Sequence, residues 1–220
     1  MEKIVRILRN KEAGDIGIGA MIVFIAMVLV AGIAAAVLIQ TANRLEIQAM
    51  QTGEQTKAEV ATGVHVLGIV GHVNSGVIDY IGITITPRAG SGDVDLEQAF
   101  VEIANENRKH VLKYYSTEFH AKSEINGDIF QSGFFDGLDG QKFGVLVLED
   151  ADGSCQQDTP VINRGDKVML LVYCGSGRVF NSGVSERTDI WGLAQPEEGS
   201  GAVFSFRTPQ AYTDTVINLY

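Results

Sequence analysis

The stretch IGIGAMIVFIAMVLVAGIAAAVLI, residues 16–39, contains 24 residues and no charged side chain. As an α-helix with a rise of about 1.5 Å per residue it would span about 36 Å, whereas the hydrocarbon layer of a bilayer is about 30 Å thick. A basic stretch precedes it, with Lys3, Arg6, Arg9 and Lys11. A long apolar helix behind a basic leader predicts a subunit that resides in a membrane before it assembles.

The border in front of the apolar run reads Ala13-Gly14-Asp15. A secretory signal peptide has a shorter apolar stretch, about 7 to 15 residues, with a small-residue cleavage site behind it. Here the run is longer and no such site ends it. Cleavage between Gly14 and Asp15 would remove the charges and keep the apolar helix. We therefore predict a cleaved leader over residues 1–14, an assembly helix over 15–62 and a β domain over 63–220.

The apolar run is rich in small side chains. Small residues let helix backbones approach closely, so helices can associate even in an apolar medium. The pattern continues beyond Gln40 as an amphipathic stripe at Leu38, Ala42, Leu45 and Ala49. A helix over 15–62 would be about 70 Å long, so we expect it to pack against other subunits. The alternative is a plain transmembrane anchor.

From Gly63 onward the apolar period changes from helical spacing toward two. Ile81, Ile83 and Ile85 alternate with smaller residues, which indicates a strand. Further strands are predicted for the hairpin of Val101 and Ile103 with Val111 and Leu112, for 143–148, for 168–174, for Phe204 and Phe206, and for 216–219. Short strands with Gly-rich turns are typical of a β-sandwich. The predicted fold class is α+β: a long N-terminal hydrophobic α-helix followed by an all-β Ig-like sandwich.

Composition and motifs narrow the functional classes. The formal net charge is −10, which argues against nucleic-acid binding because phosphate recognition needs clustered Lys and Arg. The sequence has no GxSxG elbow, no HExxH and no Walker glycine loop. The four histidines, at 65, 72, 110 and 120, show no ligand spacing. We therefore predict that the protein is not an enzyme.

Cys155 and Cys174 are the two cysteines of the chain. In an external domain they are predicted to form one disulfide. Closing a loop of about 20 residues would stabilise the fold by about 3 kcal/mol in the chain-entropy model. The alternative is a pair of buried free thiols.

Asp150, Asp152 and Asp158 are candidate metal ligands. The stretch 149–154, EDADGS, offers carboxylates two residues apart around a glycine turn, as in part of a calcium loop. A closing glutamate and a third acidic residue at EF-hand spacing are missing. No cofactor is predicted apart from a structural calcium ion here, and the alternative is a solvated hairpin turn.

Residues 15–39 closely resemble the N-terminal signature of archaellins, the filament proteins of the archaeal flagellum. Residues 204–220, FSFRTPQAYTDTVINLY, also resemble the closing strands of that family. The most specific part of the resemblance is the core of the assembly helix, IVFIAMVLVA at 22–31. Its large side chains are Ile22, Val23, Phe24, Ile25, Met27, Val28, Leu29 and Val30.

The resemblance implies a complete assembly route. Archaellins carry a class III signal peptide that a prepilin-type aspartyl peptidase removes after a glycine, which here places the cut between Gly14 and Asp15. The precursor resides in the cytoplasmic membrane. Mature helices pack into the core of an extracellular filament as a homo-oligomer or with related archaellins, and the β domains lie outside. A membrane ATPase motor and its platform assemble and rotate the filament for swimming.

Two other functions are open. One is an adhesive subunit of type IV pilin character. Many bacterial pilins have glutamate at the fifth mature position, and Gly19 occupies that position here, which favours the archaellin. The other is a single-pass surface-anchored protein whose β-sandwich binds a ligand. It would keep residues 1–14 and remain a monomer in the membrane.

Overall fold

The computed structural model describes the backbone of residues 2–220 and the side chains of residues 17–131 and 133–220. One α-helix, α1, spans Glu2–Ala61, and the rest of the chain is mostly strand. The chain divides into two units, Met1–Glu54 and Gln55–Tyr220, so the last turns of α1 belong to the second unit. The predicted fold class, an apolar helix followed by a β domain, is confirmed.

Helix α1 contains no proline and is rich in Ala, Leu, Met and Glu, which favour helix. It ends where Gly63 and a run of β-branched residues follow, since these favour extended backbone. The Thr62 amide donates to the Ala58 carbonyl at 2.8 Å and completes the last turn.

The β domain contains one nine-stranded sheet and one two-stranded sheet. The large sheet has the strand order β10-β9-β4-β5-β6-β8-β2-β1-β11, and β3 pairs with β7. The strands are β1 Val64–Asn74, β2 Val77–Pro87, β3 Val94–Asp95, β4 Phe100–Asn105, β5 Lys109–His120, β6 Lys142–Glu149, β7 Val161–Ile162, β8 Lys167–Tyr173, β9 Asp189–Gln195, β10 Ala202–Arg207 and β11 Val216–Asn218.

The large sheet curls until its two ends meet. Val64, the first residue of β1, donates its amide to Ser200 at 3.1 Å, and Ser200 donates to Thr62 at 2.9 Å. This contact joins β1 to the segment that leads into β10, near the opposite edge. Gly199 has φ +89°, and a Cβ there would overlap the Thr62 carbonyl, so this contact requires glycine. The two layers of the predicted sandwich therefore belong largely to one nine-stranded sheet, which curls around the main core.

The main core lies inside the curled sheet. Ile81, Ile83 and Ile85 of β2 are buried in it, so the predicted alternation of this strand is confirmed. The predicted hairpin is also confirmed, because β4 pairs with β5 in the register Val101↔Leu112. The predicted strands at 143–148 and 168–174 correspond to β6 and β8. Strand β9 was not predicted.

A second apolar cluster lies on the outer side of part of the sheet. Strands β5 and β6 are parallel, so the chain between them must cross over. This crossover, residues 121–141, carries two short 3-10 helices, Lys122–Glu124 and Ser132–Phe134. Its aromatic and aliphatic side chains pack on outward residues of β6 and β8; the buried members are Phe130, Phe134, Phe135, Leu138, Leu146, Met169 and Leu171. The crossover therefore covers one half of the outer face.

Replacing Ile83 by Ala should lower the free energy of unfolding by about 2 to 5 kcal/mol, because Ile83 is fully buried and the cavity cannot close completely. The measurement is chemical unfolding of the full chain in detergent. Leu67→Ala is the matched control; this exposed aliphatic residue of β1 should change the value by less than about 0.5 kcal/mol. Equal effects of the two substitutions would contradict the assigned core.

Candidate assembly surface

The side chains of the predicted assembly helix lie on α1 and are exposed. The eight large residues Ile22, Val23, Phe24, Ile25, Met27, Val28, Leu29 and Val30 each expose between 53% and 67% of their surface. They fill eight of the nine positions from 22 to 30, so they cover every side of the helix, since one turn takes about 3.6 residues. A helix that is apolar all round is stable only when it is covered by lipid or by protein.

The helix also meets the length and composition of a membrane span. Among the described side chains, Gly17–Ala61 is the helix that is long and apolar enough to cross a bilayer. A Cβ added at Gly17, Gly19 or Gly32 would contact no other part of the chain within 4 Å. The fold of a single chain therefore gives no packing reason for these glycines.

The predicted processing site, Gly14 and Asp15, lies in the helical backbone of α1. The side chains of residues 2–16 are outside the described part of the structure. The cut between these two residues stays a prediction, as do the segment boundaries 1–14, 15–62 and 63–220.

The predicted disulfide is wrong. Cys155 and Cys174 are both free thiols, and both are buried in the main core. Cys174 follows β8 and donates its amide to the Asp79 carbonyl at 2.7 Å. The backbone of Cys155 instead forms an isolated antiparallel β-bridge with Pro160. Burial raises the pKa of the Cys155 thiol to about 12 and raises the pKa of the Cys174 thiol as well. Both therefore stay protonated and unreactive at neutral pH.

The acidic loop brings three carboxylates together, but not the three that were predicted. Oxygen atoms of Asp150, Asp152 and Asp166 lie within 4.8 Å of one another, and Asp158 lies outside this group. Asp166 precedes β8 and was not singled out by sequence reasoning, because it is 14 residues from Asp152 and no local spacing links them. The available signal in the sequence was the position of Asp166 directly after Gly165, at the start of the apolar run of β8.

Hydrogen bonds within the loop account for the position of each carboxylate. Asp166 accepts the amide of Asn163 at 2.8 Å and the amide of Ala151 at 3.3 Å. Asp150 accepts the Gly153 amide at 2.7 Å. The Asn163 side chain donates to Asp152 at 2.6 Å, and this bond holds the pKa of the Asp152 carboxyl below its usual value. The cluster thus fixes the turn between β6 and β8.

The histidines have different neighbours and form no common site. His72 packs between the rings of Tyr80 and Phe130, with centroid distances of 5.6 and 5.5 Å. The Nδ1 atom of His110 lies 2.8 Å from the Gly140 carbonyl. His120 stacks on a phenylalanine of the crossover and its Nδ1 lies 2.9 Å from Glu124.

We expect both thiols of the native full chain to resist iodoacetamide at neutral pH, because the thiolate is the reacting form and burial suppresses it. After unfolding without a reductant, mass spectrometry should find both cysteines alkylated. Labelling that requires prior reduction would show a disulfide and contradict the structure.

Asp166→Asn should lower the free energy of unfolding by about 1 to 3 kcal/mol, because an amide group would face the backbone donors that the carboxylate accepts. Asp158→Asn is the control: Asp158 is exposed and outside the cluster, so its effect should be near zero. Thermal unfolding of the full chain in detergent measures both. A neutral Asp166→Asn would show that the loop does not depend on this carboxylate.

Comparison with known proteins gives the family. The model of the family described as archaeal-type flagellin matches residues 14–206. Flagellin B1 of Methanocaldococcus jannaschii is 43% identical over an alignment of 222 positions, which covers 99% of this chain and 99% of that protein. Flagellin B2 of the same organism is 41% identical over 214 residues, covering 97% and 96%. Flagellin B3 of Thermococcus kodakarensis is 34% identical, covering 95% and 98%.

Solved structures agree. The crystal structure of archaeal flagellin FlaB1 from M. jannaschii matches with a TM-score of 0.66 at 38% identity, covering 72% of this chain and 97% of that one. A chain of the archaeal flagellum of Methanospirillum hungatei has the same fold, with a TM-score of 0.62 at 14% identity, covering 91% and 98%. The resemblance in the N-terminal sequence is thereby confirmed: the chain belongs to the archaeal-type flagellin family and is a structural filament subunit, not an enzyme.

Proposed function

We propose that this chain is cut between Gly14 and Asp15 and then polymerises through α1 into the extracellular archaellum filament that rotates for swimming. The observation that carries the proposal is the run of exposed apolar side chains at 22–30. A fully buried large apolar side chain contributes about 1.5 to 3 kcal/mol relative to water, so eight of them exclude the free helix from aqueous solution. A neighbouring helix or lipid must cover them.

The same residues allow transfer from the membrane to the filament. Lipid tails and a helix core are both apolar, so the transfer gains little from the hydrophobic effect. Small residues add close backbone contact, and Gly17, Gly19 and Gly32 are free of intrachain contacts that would require them to be small. A helix of this kind resides in the cytoplasmic membrane as a precursor and leaves it for a helix bundle. Its neighbours there are copies of this chain or related flagellins.

The proposal includes the machinery that such a route needs. A prepilin-type peptidase removes residues 1–14, with their four basic side chains, and leaves the apolar helix intact. A membrane ATPase motor and its platform then insert and rotate the subunits. Contacts between successive copies are heterologous, and their rotation does not close into a ring, so they repeat along a helix. The β domain has its own core and stays in water outside the helix bundle.

Calcium binding stays a prediction for Asp150 and Asp152. If an ion binds, Asp166 would replace Asp158 as the third carboxylate, since it is the one that lies with them. The hydrogen bonds described above explain the loop without an ion.

Mass spectrometry of the chain in filaments sheared from cells should find Asp15 as the first residue. Gly14→Val should keep Met1 on the chain, hold it in the membrane fraction and abolish filaments, because the peptidase needs a small residue before the cut. Gly17→Ala is the matched control; it lies three residues beyond the cut in open space and should be processed normally. Sedimentable filaments of uncut chains would contradict the proposal, and an uncut wild-type monomer in the membrane would favour the anchored binding protein.

A further inference from the structure

The two halves of the outer sheet face differ. The crossover covers outward residues of β6, β8, β2 and β1, including Leu146, Met169 and Leu171. On the other half, formed by β4, β5, β9 and β10, the described residues form no such cluster. We call its exposed and half-buried outward residues the open face; they are Glu102, Lys109, Val111, Lys113, Asp189, Trp191, Leu193, Val203, Ser205 and Arg207.

The open face has apolar side chains on β10, β9 and β5 along one line across the strands, and Glu102 of β4 interrupts that line. Val203 of β10 pairs with Leu193 of β9, Leu193 pairs with Glu102 of β4, and Glu102 pairs with Val111 of β5. In the next row Trp191 pairs with Ala104. Val203, Val111 and Trp191 expose 76%, 48% and 43% of their surface. Side chains alternate between the two faces of these strands, and the core is formed by those on the inner face. The exposed apolar residues named above are not part of that core.

The charges of the open face nearly balance one another. Lys109 pairs with Glu102 at 2.7 Å, and Arg207 lies 3.6 Å from Asp189. Lys113 has no ion-pair partner among the described side chains. Three basic and two acidic residues give this face a charge of 3 − 2 = +1, whereas the whole chain has −10. A second copy, which is acidic overall, meets no net negative charge on this face.

We propose that the open face, centred on Trp191 and Val203, docks against the β domain of a second copy of this chain in the filament. The proposal rests on the proposed polymerisation, which brings β domains of neighbouring copies side by side. Contact through the apolar residues of this nearly neutral sheet face would add to the contact through α1. Aromatic residues such as Trp191 are enriched at the centres of protein interfaces.

Trp191 is the single tryptophan of the chain, so a measurement of tryptophan oxidation reports on the exposure of this position alone. Hydroxyl-radical footprinting with peptide mass spectrometry should show a loss of Trp191 oxidation in filaments relative to the full chain extracted from membranes in detergent. Val203→Asp should reduce the yield of sheared filaments strongly, whereas Val203→Ile should retain it. Val216→Asp is the matched control, since Val216 is also an exposed strand valine but lies on β11, which pairs with β1 and is not part of the open face.

The outcomes distinguish the proposed docking face from the proposed polymerisation. Filaments in which Trp191 is oxidised as readily as in detergent would overturn the docking face and leave polymerisation intact. So would a Val203→Asp filament yield equal to that of the wild type, or equal losses for Val203→Asp and Val216→Asp. Circular dichroism of the extracted variants should match the wild type, because position 203 is outside the core. A wild-type chain that forms no filaments would instead refute the proposed function.

Discussion

Everything in this molecule depends on the need to cover one helix. The side chains at 22–30 are apolar on every side of α1, and none of them is buried within the chain. Such a helix is not stable in water, because it exposes too large an apolar area. Lipid and neighbouring helices remain. A subunit that passes from one to the other needs no catalytic group, which is consistent with a family of structural filament proteins.

The β domain is built to be independent of that helix. Its strands curl around a single core, and the crossover at 121–141 seals a second cluster on the outside. The reactive groups of the β domain stabilise the fold. The two thiols are buried in the core, and the carboxylate of Asp166 accepts hydrogen bonds from backbone amides in a tight turn. Such a domain tolerates exposure outside a filament, and its uncovered half-face is left for contacts with other copies.

Sequence reasoning succeeded where periodicity is local and failed where distant residues had to meet. The alternation of Ile81, Ile83 and Ile85 identified β2, and the two short apolar runs at 101–103 and 111–112 identified the β4–β5 hairpin. Strand β9 was missed because Gly192 and Ala194 weaken its apolar alternation, although its inner face is buried. The disulfide was wrong because a pair of cysteines in a sequence says nothing about whether their side chains converge.

The sequence by itself determined the helix, its need for an apolar surrounding and the family, because an uninterrupted apolar run and a helical rise are local properties of the chain. Only the tertiary structure decided the strand order, the parallel β5–β6 pair, the choice of Asp166 over Asp158 and the half of the sheet that stays open. These depend on contacts between residues far apart in sequence, which are selected by the packing of the whole core and not by any short pattern.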